Sequence, residues 1–174
     1  MNKAIFLDRD GTINVDYGYV HKYENFEFID GVKDALLLLK NAGYKLILIT
    51  NQSGIARGYF TEEEFFQLSQ KIQEELKDCG AEFDGIYYCP HLNEGCDCRK
   101  PAVGLFYKAA QEHKIDFSKS YAIGDRMRDL TICQNEPVKG FLIGETEEIP
   151  DNIKLVDSLL EAAKCICVEN LENI

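Results

Sequence analysis

Asp8 and Asp10 stand two residues apart, followed by Gly11 and Thr12, directly after the apolar run Ala4-Ile5-Phe6-Leu7. Two carboxylates so spaced can divide one reaction, one attacking a substrate atom while the other gives and takes a proton. Both can also face a hard cation such as Mg²⁺, which prefers oxygen ligands. Asp and Gly are equally ordinary turn residues, so the five residues alone leave both chemistry and a plain polar turn open. Three further places could join them: Thr50-Asn51-Gln52-Ser53-Gly54, Lys100, and Gly124-Asp125 with Asp129.

Whether these places meet depends on the elements that carry them. Apolar runs predict strands at 4–7, 44–50, 84–88, 121–124 and 141–143, and apolar spacing predicts helices at 31–41, 102–113, 129–134 and 158–166. Thr61-Glu62-Glu63-Glu64 is a capping box that opens a long helix ending near Cys79-Gly80. Strand and helix alternate throughout, which predicts an α/β fold: a doubly wound, mostly parallel sheet with helices on both faces. Parallel strands bring their C-terminal ends to one edge, where ligands of open α/β sheets bind. Asp8, Thr50 and Asp125 each close a predicted strand, so residues far apart in the chain are gathered there.

That edge suits phosphoryl transfer. Asp8 can attack phosphorus as nucleophile. Asp10 can protonate the leaving oxygen and then activate a water. Thr50 can hydrogen-bond the phosphoryl oxygens, and Lys100 can balance the charge spread over them. Asp125 can complete a Mg²⁺ site with Asp8 and a carbonyl of the first loop. Singly, each residue also reads as a strand end, a helix N-terminus or a solvated lysine. Jointly, in this order and at strand ends, they read as a site.

Composition narrows the field. A chain of 174 residues, 45% hydrophobic and 28% charged, predicts a single soluble domain over 1–174. A formal net charge of -11 argues against nucleic acid or an anionic membrane as partner. Apolar runs are too short to span a bilayer, and the first strand starts at once, so no signal peptide and a cytoplasmic location are expected. The chain is expected to act as a monomer on a small phosphorylated substrate.

The seven cysteines are an odd number without a secretion signal, which argues against a disulfide framework. Cys89, His91, Cys96 and Cys98 instead form the pattern C-x-H-x₄-C-x-C. Three thiolates and one imidazole make a closed tetrahedral Zn²⁺ set, structural rather than catalytic. Arg99-Lys100-Pro101 follows at once, so this zinc would support the backbone that presents Lys100. Cys79, Cys133, Cys165 and Cys167 read as small apolar residues.

The set Asp8-Arg9-Asp10-Gly11-Thr12, Thr50-Asn51, Lys100 and Gly124-Asp125-x-x-x-Asp129 resembles the four motifs of the haloacid dehalogenase superfamily of phosphatases. The resemblance runs from about residue 4 to 143. It implies a Rossmann-like core, Mg²⁺ held by Asp8, Asp10 and Asp125 with Asp129 behind them, and a phospho-aspartate on Asp8. Little room remains between Thr50 and Lys100 for a large cap domain.

Substrate choice belongs to the mouth loops at 14–25 and 52–60 and to the cysteine loop. Asp16-Tyr17-Gly18-Tyr19-Val20-His21 and the segment 50–58 resemble the heptose 1,7-bisphosphate phosphatases of that superfamily. Membership there implies release of a C7 phosphate in activated-heptose synthesis for surface polysaccharide (lipopolysaccharide). Expected substrate contacts are Asp16, Tyr17, Gly18, Tyr19, Asn51, Gln52, Ser53, Arg57, Arg99 and Arg126. The compact cysteine loop, with only 92–95 between His91 and Cys96, is closer to the histidinol-phosphate phosphatases, which leaves that activity as an alternative. A non-catalytic zinc-stabilised interaction module is the remote one.

Overall fold

A computed structural model describes residues 1–93, 95–146 and 148–172. Six strands, β1 (Ala4–Leu7), β2 (Lys45–Asn51), β3 (Gly85–Cys89), β4 (Tyr121–Gly124), β5 (Lys139–Ile143) and β6 (Ile153–Val156), form one parallel sheet in the order β3-β2-β1-β4-β5-β6. Five of them are where the apolar runs predict strands. The sixth, β6, was not expected: only Ile153 and Val156 are buried, so this edge strand lacks a continuous apolar run.

Alternation within each strand divides the core in two. Ile5, Leu7, Leu46 and Leu48 face helices α1 (Val32–Asn41), α2 (Glu62–Asp78) and α5 (Leu159–Glu172). Ala4, Phe6, Ile47 and Ile49 face α3 (Gly104–His113), the 3-10 turn Met127–Leu130 and the short helix α4 (Ile132–Asn135). Cover on both faces is why β1 and the middle of β2, Leu46–Ile49, are wholly apolar.

Helix ends follow local chemistry. Thr61 Oγ1 accepts from the Glu64 N–H while the Glu64 carboxylate takes the Thr61 N–H, the capping box expected at α2. The helix expected from 102 starts at Gly104, whose N–H donates to Asp97 O at 2.9 Å. Residues 129–134 divide between the 3-10 turn and α4, and α5 runs on past 166 to Glu172.

The chain runs outward from β1 to β3 on one side, then restarts beside β1 with β4 and runs outward to β6. Ile5 pairs with Leu46 on one side and with Tyr121 on the other. The direction of winding therefore reverses between β1 and β4, and a crevice opens above their C-terminal ends.

Candidate active site

Asp8 leaves β1 and Asp125 leaves β4, the two strands that flank the crevice. Carboxylate oxygens of Asp8, Asp125 and Asp129 all lie within 4.8 Å of one another. Lys100 joins them from the opposite side, its Nζ 2.7 Å from Asp8 Oδ1, 2.7 Å from Asp129 Oδ1 and 2.6 Å from the Ile49 carbonyl. The lysine is buried, so the solvated surface reading of Lys100 does not hold.

Burial pushes the Asp8 carboxyl up, the Lys100 ammonium pulls it down, and the Asp129 charge pushes it up again, leaving it at about 7. Burial pulls Lys100 down, but Asp8 and Asp129 outweigh it and hold the ammonium above its ordinary value. Asp125 is raised by burial first and by Asp129 second. Its Oδ1 is buried with no hydrogen-bond partner among the described residues. An orphaned carboxylate oxygen beside two further carboxylates fits a divalent cation.

Gly11 makes the approach possible. Its φ is 86°, and a Cβ placed on it would lie 2.2 Å from Asp125 Oδ2. Both the left-handed backbone and the closeness of Asp125 demand glycine.

The Asp10 side chain stands apart from the cation cluster. Its Oδ1 accepts from Arg9 Nη2 at 2.9 Å and Asn14 Nδ2 at 3.1 Å, and its Oδ2 from Gln52 Nε2 at 3.2 Å. The carboxylate is thus committed to three donors, while Asp129 occupies the place beside Asp8 and Asp125. Thr50 is buried beneath the crevice, and its hydroxyl accepts from Gln52 Nε2 at 2.9 Å.

A cleft of about 330 Å³ opens over these groups, lined also by Asp16, Gly18, Tyr19, Asn51, Gln52, Ser53, Arg57, Arg99 and Arg126. Nine of the ten expected substrate contacts therefore line one cleft. Tyr17 does not: its hydroxyl is hydrogen-bonded to Glu27 and it lines the neighbouring depression. Arg57 lies over the Tyr19 ring at 5.9 Å, and Tyr19 meets Tyr59 edge-on at 4.9 Å. Arg128 lines the cleft without having been expected there; nothing in its spacing distinguishes it from a solvated arginine. Arg9 and Asn14 were missed for a similar reason, as polar residues just after a strand.

Beside the cleft, Cys89, His91, Cys96 and Cys98 converge. Cys89 Sγ lies 3.4 Å from His91 Nδ1 and 3.7 Å from Cys96 Sγ, and Cys98 Sγ lies 3.1 Å from His91 Nδ1 and 3.5 Å from Cys96 Sγ. All four donor atoms fall within 4.8 Å of one another, as tetrahedral Zn²⁺ ligation requires. Burial raises the Cys96 thiol, but the N–H groups of Arg99 and Cys98 and the neighbouring thiols outweigh it and bring it to about 6. Glu94, within this loop, lies outside the described residues. The loop is stitched to the sheet, since Gln52 N donates to Cys89 O at 2.8 Å, and Arg99 Nη1 reaches His91 O at 3.3 Å.

The family described as Polynucleotide kinase 3 phosphatase matches residues 3–136. A D-glycero-beta-D-manno-heptose-1,7-bisphosphate 7-phosphatase from Haemophilus influenzae is 48% identical over 181 aligned positions, covering 95% of this chain and 97% of that protein. The protein of the same name from Escherichia coli K12 is 53% identical over 135 positions, 73% of this chain and 71% of its own. The crystal structure of a D,D-heptose 1,7-bisphosphate phosphatase from B. bronchiseptica, complexed with magnesium and phosphate, superposes with a TM-score of 0.87. It is 29% identical and covers 96% of this chain and 99% of that one.

Proposed function

The chain belongs to the D-glycero-β-D-manno-heptose-1,7-bisphosphate 7-phosphatase family, and on that premise we propose how its residues carry the reaction. It is a phosphoric monoester hydrolase that removes the C7 phosphate of heptose 1,7-bisphosphate. The observation that carries the residue assignment is Lys100 Nζ, 2.7 Å from both Asp8 and Asp129 in the crevice above β1 and β4.

Asp8 attacks the C7 phosphorus, and the P–O bond to the sugar breaks. Asp10, held by three donors on the other side, gives its proton to the departing alkoxide oxygen. Asp10 then takes a proton from water, whose oxygen attacks the phospho-aspartate and frees Asp8 and inorganic phosphate. Thr50 accepts from Gln52, so its own hydroxyl proton stays available for a phosphoryl oxygen. Asp8, Asp125 and Asp129 would hold Mg²⁺, and a backbone carbonyl of the first loop would complete the site. Bound there, the cation supplies the positive charge that keeps Asp8 ionised and lets it approach an anionic phosphate.

The cysteine and histidine set would hold a structural Zn²⁺. Arg57, Arg99 and Arg126 are the cations of the rim that would meet the second phosphate at C1. The product, a heptose 1-phosphate, would feed activated-heptose synthesis for surface polysaccharide. Among the described residues no helix is long and apolar enough to cross a membrane. Comparing kcat/KM on heptose 1,7-bisphosphate and on histidinol phosphate tests the substrate assignment. We expect the heptose to be preferred by at least about 10²-fold; preference for histidinol phosphate would overturn it.

A further inference from the structure

We propose that Arg9 is a positioning residue that fixes the Asp10 carboxylate and the loop bearing Val20 in one frame. The proposal rests on the reading of Asp10 as the acid and base.

Arg9 is only 1% exposed although it lies just past β1, between the carboxylates of Asp8 and Asp10. Its Nη2 donates to Asp10 Oδ1 at 2.9 Å and to the Val20 carbonyl at 2.7 Å. Its Nε and Nη1 have no hydrogen-bond partner among the described residues. Taking a guanidinium out of water is costly, and a well-packed apolar side chain could fill the same volume at lower cost. Stability is therefore a poor reason for this arginine, and what it contributes resides in the two bonds it makes.

Those bonds end on functionally different groups. At Asp10, Arg9 and Asn14 both hold Oδ1, whereas Oδ2 takes only Gln52, itself a residue of the cleft wall. Arg9 thereby turns Oδ2 toward the cleft. At Val20 it grips the loop just after Gly18 and Tyr19, which line the cleft with φ of 80° and 51°. Two successive left-handed residues form a sharp bend that needs an anchor at its exit. One nitrogen supplies that anchor and orients the acid at once. A loop of the cleft wall is thus tied to the group that must protonate the departing alcohol's oxygen.

The test exploits leaving-group chemistry. A sugar alkoxide needs a proton to depart, whereas p-nitrophenolate does not, and kcat/KM reports steps up to phosphoryl transfer onto Asp8. For Arg9→Gln we expect kcat/KM on heptose 1,7-bisphosphate to fall on the order of 10²-fold, mostly through kcat, and on p-nitrophenyl phosphate less than about 5-fold. Arg9→Lys, which keeps the charge and one donor, should recover roughly 10-fold of the sugar loss. Equal losses on both esters would overturn the proposal, as would a sugar defect carried wholly by KM. If Arg9→Gln does not fold, Arg9→Lys measured on the same two esters decides by the same ratio. Failure of the wild-type protein to hydrolyse either ester would instead count against the phosphatase reading.

Discussion

Asn51 and Lys100 hold each other by a reciprocal pair of hydrogen bonds. Asn51 Nδ2 donates to Lys100 O, and Lys100 N donates to Asn51 Oδ1, both at 3.0 Å. The last residue of β2 thus fixes the backbone from which the lysine reaches Asp8. Asn51→Ala removes both bonds and lets that backbone drift, and displacements of about 1 Å can cost about 10²-fold in rate. Steady-state kinetics should show kcat down 10- to 100-fold (order of magnitude) with KM moving far less. A KM effect alone would mean that Asn51 serves the substrate rather than the lysine.

The cysteine loop leads into the same lysine, Cys98 preceding it by two residues, so the proposed zinc would fix the lysine's backbone. On the proposed zinc assignment, elemental analysis should find zinc in the wild type and none in Cys98→Ser, and the variant should show a lower kcat with Mg²⁺ in excess. Wild-type kcat and KM in a zinc-free variant would disconnect the loop from catalysis.

Asp8→Asn replaces the proposed nucleophile with a nearly isosteric amide that cannot attack phosphorus. Turnover should fall by more than about 10³-fold, with the melting temperature held within a few degrees because Lys100 keeps its partner Asp129. Residual turnover near the wild-type rate would remove Asp8 from that role.

Gly11→Ala forces a Cβ into the space of Asp125 Oδ2 at a left-handed φ. Chemical denaturation should show a loss of about 2 kcal/mol or more. Titration calorimetry should show weakened Mg²⁺ binding, because Asp125 must move. Wild-type Mg²⁺ affinity in this variant would place the cation elsewhere.

Acid stability should depend on Glu169 of α5. Burial raises its carboxyl, but Lys154, Lys139 and the Tyr121 hydroxyl outweigh burial and hold it at about 2, below its ordinary 4.5. A depressed carboxyl contributes stability above its unfolded value and loses it as pH falls through the folded one, here between about 4.5 and 2. Glu169→Gln should therefore cost about 1 kcal/mol at pH 7, a figure kept small because both lysines are well exposed. Thermal melts should show the difference from wild type shrinking toward pH 2; a gap independent of pH would mean that the charge is irrelevant.

What the sequence made legible follows from where the physics is local. β1 and the middle of β2 are readable because burial on both faces leaves no polar residue in 4–7 or 46–49. β6 was not, since Lys154 and Leu155 are exposed and pairing with β5 rather than composition makes it a strand. Asp8, Thr50 and Asp125 group because parallel topology collects strand ends, whereas Lys100 joins them only through the chemistry that phosphoryl transfer demands. Arg9 and Asn14 could not, because their burial depends on how 16–28 folds back: Val15 N meets Glu27 O, and Val20 O meets Arg9. The family resemblance of 16–21 puts Tyr17 with the substrate, but Glu27 on that same fold-back bonds its hydroxyl, and Tyr17 lines the next depression.

The central position of β1 has a consequence during synthesis. The strand carrying Asp8 is made first, gains one neighbour when residues 45–48 emerge, and meets the other only at residues 121–123. At roughly 5–20 residues per second, the ribosome leaves its second edge bare for about 4–15 s. An apolar edge open that long is a target for chaperones and for pairing with other nascent chains.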